Sequence, residues 1–590
     1  MYTSCHGVGL SHTHTHNYVH TYVPNPHKGP QHNQGAIHYE PRQPHQSPSS
    51  AGRCKMAAKG NSADRNAPEL NRVLSFYRNS TILLTGGTGF LGKVLLEKIL
   101  RCLGVRKVFL AVRIKDGRKP AERLQELLKD ALFDRLRQDA TVEQLLERVE
   151  PVEISLEAGD GLGLGMDETT ETRLLQQTDV IFNVLASVKF NESIKNAVDT
   201  NVGGTRRVLQ LARRMQRLKA VVHVSTLYSN CDRTHIRERV YDDTLLRPEA
   251  VLNLSKLLSA DEMDGLQHCL LGSLPNTYTY SKKCAESLIQ QHFSDLPVGI
   301  FRPPIVLSTY REPIAGWTDN LNGPAGLCLW TVKGYVRVIH GNGRKKANLV
   351  PVDYCVNALL VAGFDVADRS MARDPAQDSR SGWETVQPVP VYNYLYDRPN
   401  LTWGRYMGTV SMGFDGWIKR LCWPHSYTIV PNRALFRVLS LCCHTVPAWL
   451  LDFVRQLRGK RPLYRRMAAK TNRFLETMAY FGLREWQIAN ENVVRLRTLL
   501  TPTEASLLEF DLSTVDWDEY FQAYIPGIRR YYLGELPAAR DRINPAQPLA
   551  WNRRIQFLCR LLHRLMWVLI CLKLGHRLYV RRNLFSILIA

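Results

Sequence analysis

Between residues 80 and 360 the apolar positions follow two alternating rhythms. Short aliphatic and β-branched runs occur at 81–85, 108–112, 179–184, 220–225 and 298–302, with the continuous apolar character of strands buried on both faces. Between them lie stretches of helical spacing. In 93–103, for example, Val94, Leu95, Ile99 and Leu100 share one face. Further helices are predicted at 118–148, where charge dominates, and at 201–216 and 278–294. Leu70, Val73, Leu74 and Tyr77 predict a short lead-in helix. Alternating strands and helices predict a doubly wound parallel sheet covered on both faces, an α/β fold. From about 425 the pattern turns helical. The run 434–457 is strongly apolar but carries Arg437, His444 and Pro447, so a buried helix pair broken at the proline reads at least as well as a membrane segment. A mixed helix is predicted over 465–500.

The first strand runs into Thr85-Gly86-Gly87-Thr88-Gly89-Phe90-Leu91-Gly92. Glycine suits backbone that must turn tightly and approach a pyrophosphate, where a Cβ would clash. The following helix aims its free N–H groups and positive dipole end at those phosphates. A glycine turn between strand and helix opens a Rossmann-like dinucleotide-binding unit. The cofactor-binding candidates are therefore Thr85, Gly86, Thr88, Gly89, Phe90, Leu91 and Gly92. The second strand ends at Arg113, with no acid before Asp116, which suits the 2′-phosphate of NADPH over NADH.

Tyr278 and Lys282 are four residues apart and share a helical face. An ammonium beside the phenol is expected to lower its pKa, so that it can protonate the oxygen of a carbonyl being reduced. Thr226, just past a strand ending at Ser225, can hold the same oxygen. Tyr280 competes for the role, but its partner four residues on is the uncharged Cys284.

These motifs resemble the extended short-chain dehydrogenase/reductases. Segments 201–205, 223–230, 302–306, 312–320 and 351–353 are similar to one branch, the alcohol-forming fatty acyl-CoA reductases. So are the C-terminal stretches 447–452, Glu485-Trp486 and 510–529. The resemblance covers about 70 to 535. It implies catalytic Thr226, Tyr278 and Lys282, with Lys282 also on the nicotinamide ribose, Arg113 on the 2′-phosphate and Asp160 near the adenine. It implies two NADPH-dependent hydride transfers that take a long-chain fatty acyl-CoA through an aldehyde to a fatty alcohol, releasing CoA without a metal. Two positions depart from the family pattern: Asn183 stands where histidine is usual, and Pro304 replaces the serine of Arg-Pro-Ser. A different lipid or sterol substrate, or a non-catalytic membrane protein keeping the fold, are the rival readings.

The implied organisation is a disordered His/Pro-rich tail at 1–66 and a reductase domain at 67–425, with its Rossmann core about 80–360. A helical C-terminal domain at 426–535 and a basic, apolar, membrane-associated tail at 536–590 follow. The chain has 590 residues and a formal charge of +23. After Pro548 the basic residues interleave with aliphatics and no acid occurs, which favours a lipid surface over nucleic acid. The run 565–572 is far shorter than the ~20 residues of a spanning helix. Expected partners are long-chain fatty acyl-CoA and a membrane lipid surface; the sequence sets no oligomeric state. The expected location is the cytosolic face of an intracellular membrane, the endoplasmic reticulum first and the peroxisome second. The 13 cysteines form no CxxC pair, consistent with reduced thiols.

Overall fold

Seven strands pair in parallel in a computed structural model of the chain: β1 (Thr81–Thr85), β2 (Lys107–Val112), β3 (Val149–Glu153), β4 (Val180–Asn183), β5 (Ala220–Val224), β6 (Val298–Arg302) and β7 (Val391–Asn393). The structure describes residues 71–534 apart from 115–116, 156–163, 333, 373–387, 397–400 and 414–426. The segments 1–66 and 536–590 and Asp160 therefore lie outside the described residues. Across the sheet the strands run β3-β2-β1-β4-β5-β6-β7. The order reverses between β1 and β4, and in such sheets ligands bind outside the carboxyl ends of the strands at that point.

The core follows from strand geometry, because successive side chains face opposite sides. Ile82, Leu84, Val108, Leu110 and Phe182 pack into one apolar layer, and Leu83, Phe109, Ile181, Val221 and Ile300 into the other. The covering helices include α1 (Arg72–Tyr77), α2 (Phe90–Cys102), α3 (Gly204–Arg213), α4 (Thr277–His292) and the buried α5 (Val352–Met371). The C-terminal part adds α6 (Arg433–Leu457), α7 (Tyr464–Leu483) and α8 (Trp517–Gly527).

Several elements differ from the pattern in the sequence. The region 118–148 is three short helices and a 3-10 turn, because Asp130 caps the Leu132 N–H and Thr141 forms a capping box with Gln144. β3 and β7 were not foreseen. β3 has two partly accessible positions, Glu150 and Pro151, between buried valines, and β7 is three residues long, so neither makes a continuous apolar run. The helix predicted over 465–500 ends at Leu483 and resumes at Glu491. Pro447 does not break α6. A π turn at Leu441–Thr445 widens the ladder just before the ring, where the proline would otherwise clash with the preceding turn. The buried-pair expectation for α6 also fails, because most of its bulky apolar side chains are exposed.

Three carboxylates tie distant segments by accepting backbone N–H bonds. Asp353 takes those of Tyr310, Arg311 and Glu312. Asp452 takes those of Leu463, Tyr464 and Arg465 at the start of α7. Glu504 takes those of Val73 and Leu74 in α1. The C-terminal helices also meet the loop after β6 at a backbone-to-backbone contact. A Cβ on Gly527 would lie 1.8 Å from the Gly316 carbonyl oxygen.

That contact predicts the outcome of one pair of variants. Gly527→Ala forces two main chains apart and should cost ~1–3 kcal/mol. Gly265→Ala adds its methyl to open space on an ordinary helix and should be neutral or slightly stabilising. Thermal melts of the two variants against the parent check this.

Candidate active site

The glycine turn leaves the carboxyl end of β1 as the sequence implied. Gly86 has φ +68, and a Cβ there would meet the Val184 carbonyl carbon at 2.7 Å. A Cβ on Gly92 would lie 2.3 Å from the Gly86 oxygen, so the first turn of α2 can pack onto the loop only without one. Gly89 is the N-cap of α2, which places the orphan N–H groups of Phe90, Leu91 and Gly92 at the mouth of the turn. Arg113 is exposed just past the end of β2. A second basic residue, which sequence reading missed, stands with it. Arg123 donates to the Arg113 carbonyl and to Thr88 Oγ1. It lies on the helix after the strand, ten residues from Arg113, and no spacing rule marks it.

Register aligns the next group. Thr85 pairs with Asn183 and Asn183 with His223 across β1, β4 and β5. Thr85 donates to Asn183 Oδ1 at 2.7 Å, and Asn183 Nδ2 lies 3.1 Å from His223 Nδ1. The departure at Asn183 is thus accommodated as a bridge between the glycine turn and the neighbouring strand. Burial, and then the charge of Lys282, hold the His223 pKa well below its ordinary value.

Lys282 and Tyr278 come from the first turns of α4, capped by Asn276. Lys282 is buried, and its ammonium donates to the Val224 carbonyl at 2.6 Å. Thr226 follows the end of β5, and its hydroxyl stands close enough to the Tyr278 phenol to favour the phenolate. The structure therefore brings Thr226, Tyr278 and Lys282 to the carboxyl end of β5. One expectation is corrected. Tyr278 is not acidified by Lys282; burial pushes the phenol up to about 12, and the Thr226 hydroxyl only partly offsets this. Burial also lowers Lys282 to about 7, against the pull of Glu286. The ammonium charge on which the expectation rested is itself disfavoured where the lysine sits. Tyr280 is set aside, since it packs into the core against Cys284.

Two positioning groups escaped the sequence reading. Asn201, in a π turn leading into α3, donates to the Ser187 carbonyl and to Ser281, the neighbour of Lys282. Such turns interrupt helices at functional sites. Glu286, one turn beyond Lys282, is fully buried against Arg302 with two bonds, of 2.9 and 2.5 Å. It also accepts from Ser225, Ser229 and Asn230. A Glu four residues after a Lys is ordinary in a helix, so no signal in the sequence set it apart.

An apolar wall borders the phenol. Phe190 lies 5.8 Å from the Tyr278 ring and 6.0 Å from Phe481, in the last turn of α7. Tyr228, 5.0 Å from Phe481, and Trp486, 5.4 Å from Tyr228 and 6.5 Å from Phe481, complete the cluster. Chemically the site offers a glycine turn and helix N-terminus for phosphates, two arginines beside it, a hydroxyl and phenol for an oxygen, and an aromatic wall for aliphatic chain. The residues present fit a nicotinamide dinucleotide.

The family model described as male sterility protein matches residues 84–359, and a second of the same description matches 443–535. The chain is 35% identical over 472 residues to the fatty acyl-CoA reductase wat of Drosophila melanogaster, covering 78% of this chain and 86% of that one. It is 33% identical over 487 residues to fatty acyl-CoA reductase 1 of Homo sapiens, covering 81% and 90%. It is 30% identical over 530 residues to fatty acyl-CoA reductase 2 of Mus musculus, covering 88% and 97%.

Lys282 predicts a pH dependence. In the unfolded chain a lysine keeps its proton to about 10.4, whereas the folded cofactor-free protein releases it at about 7. Between these values the unfolded state holds more protons, so this group adds stability as pH rises from about 7 to ~10 and removes it on the way down. Lys282→Met should flatten that part of the melting-temperature profile of cofactor-free protein. Parallel profiles for parent and variant would place a charged lysine in the fold instead.

Proposed function

The chain belongs to the fatty acyl-CoA reductases, and from that membership we propose that it reduces a long-chain fatty acyl-CoA to the fatty alcohol with NADPH, releasing CoA. The observation that carries the reading is that Lys282, bonded to the Val224 carbonyl at the carboxyl end of β5, and Tyr278, one turn earlier on the same helix, meet Thr226 there.

The residues divide the work by position. Gly86, Gly89 and Gly92 leave room for a pyrophosphate, and the N-terminus of α2 stabilises its charge. Arg113 and Arg123 hold the 2′-phosphate. Bound NADPH supplies hydride, two equivalents per acyl group. Tyr278 donates its proton to the carbonyl oxygen as negative charge grows there, and Thr226 donates a second hydrogen bond to the same oxygen. A phenol raised to about 12 is a weak acid at rest. It therefore keeps its proton until an oxyanion of comparable basicity forms beside it, which suits the timing of the transfer. Lys282 stays oriented through Val224 and steadies the phenolate left behind. The same groups serve both reductions, first of the thioester and then of the aldehyde. Phe190, Phe481, Tyr228 and Trp486 shelter the acyl chain near the reacting carbon and exclude water that would compete for the oxygen. An acyl chain of this kind partitions into lipid, so the proposed setting is the cytosolic face of an intracellular membrane, the endoplasmic reticulum foremost. Residues 67–425 would form the reductase body and 426–535 the helical part that closes over it.

Purified protein given palmitoyl-CoA and NADPH should consume two NADPH per CoA thiol released, with fatty alcohol as the product in gas chromatography. Loss of NADPH with no alcohol would defeat the reading. Tyr278→Phe should lower turnover by ~10³-fold while leaving NADPH affinity near that of the parent, as removal of a general acid does. Equal turnover in the two proteins would move the proton donor elsewhere. The double variant Arg113→Ser with Arg123→Ser should weaken NADPH ~10- to 100-fold and NADH much less, the scale of two lost charge-assisted bonds. Isothermal titration with both dinucleotides reads the ratio.

A further inference from the structure

The helix α6 is amphipathic the wrong way round for a water-soluble surface. Its inward face is small or polar: Ser440, His444, Ala448 and Asp452 are buried, beside Phe436 and Leu439. Its outward face carries the bulk. Trp449 is 60% exposed, Leu450 62%, Phe453 57% and Leu457 72%, and Leu435 and Leu441 continue the stripe. Of all large hydrophobic side chains exposed among the described residues, about half fall between 435 and 463. A monomer in water rarely keeps so continuous an apolar face bare.

By length and composition α6 is the one helix among the described residues that could cross a membrane. The inward face argues against crossing. His444 Nε2 accepts the Arg337 and Val338 N–H groups, and its Nδ1 lies 2.9 Å from Asn472 Oδ1. Asp452 holds three N–H groups at the start of α7. A spanning α6 would strip those bonds and carry a carboxylate and an imidazole into hydrocarbon, which is costly. A helix lying flat keeps them all.

Charge decides what the face meets. From 433 to 470 the sequence has nine Lys and Arg and a single acid, the buried Asp452. Arg458, Lys460 and Arg461 form an exposed turn just beyond Leu457, and Arg465 spreads over the Trp449 ring at 5.0 Å. An apolar stripe with a cationic border matches an anionic lipid surface, acyl tails under the stripe and headgroup phosphates at the border. We propose that α6 and the turn into α7 rest in the plane of an anionic bilayer, as a docking face built into the folded body. The position serves the site. α7 starts at this face and, within its last turn, carries Phe481 into the aromatic wall that borders Tyr278, so ~25 Å of one helix separates lipid from that wall.

The test uses the full chain, because its tail beyond 548 is also basic and apolar. The protein is mixed with phosphatidylcholine vesicles with and without phosphatidylserine, bearing a photoactivatable group in the upper acyl chain, and labelled peptides are mapped by mass spectrometry. Labelling within 446–457, stronger with phosphatidylserine, is the expected result. Flotation of a Trp449→Glu, Leu450→Glu, Phe453→Glu variant should show at least a ~10-fold fall in vesicle binding, with NADPH binding intact as the control for folding. Labelling confined to 549–590, or a variant that floats like the parent, overturns the proposal. So does a cross-link in lipid-free solution that joins 446–457 to the tail or to a second copy, since either would be the true cover. Vesicle binding is read without turnover, so its failure leaves the proposed reaction untouched.

Discussion

A buried carboxylate holds three walls of the site together. Glu286 rises from α4, accepts two bonds from Arg302 of β6, and receives Ser225 from the end of β5. Each partner stands beside a residue with chemistry to do. Thr226 follows Ser225, and Lys282 and Tyr278 precede Glu286 on its own helix. Arg302 also reaches the carbonyls of Arg237 and Arg239 and the side chain of Asn393, which ties in the outer strand β7. A charge pair so deep stays bound only because nearly every donor has an acceptor, and removing one partner would strand the other without water. The geometry of the phenol therefore depends on an ion pair buried away from solvent.

The same depth sets the electrostatics. Crowding that fixes Lys282 on Val224 also disfavours its ammonium, and crowding around Tyr278 disfavours its phenolate. A site held this way is poised with its proton on the phenol. Phosphates arriving at the glycine turn would bring negative charge to a region whose fixed groups are Arg113, Arg123 and the N-terminus of α2. One departure from the family pattern is absorbed locally: Asn183 takes up a bridging bond between Thr85 and His223.

Many of the segments that mark the family turn out to be joints. Asp353 gathers the N–H groups of the turn 310–312, and Asp452 starts α7. Gly316 and Gly527 allow two backbones to touch. These joints seat the C-terminal helices against the sheet, and α7 then delivers Phe481 to a site whose reactive groups all come from the other half of the chain. A face that meets lipid at one end of α7 and a reacting carbon at the other would be a mechanical consequence of that seating.

The sequence by itself determined five of the seven sheet strands (β1, β2, β4, β5 and β6), the glycine turn and the residue types around the phenol. These are local properties, set by side-chain period, by the φ that glycine allows and by four-residue spacing on a helix. Tertiary structure alone decided the rest. Arg123 next to Thr88, Asn201 against Ser281, Glu286 under Arg302 and Phe481 beside Phe190 are all contacts between segments far apart in the chain. So is the direction in which α6 turns its apolar side. A hydrophobic stripe in sequence says that something must cover it, but whether protein or lipid does so depends on which side the polar anchors His444 and Asp452 find partners. That is settled only when the chain has closed on itself.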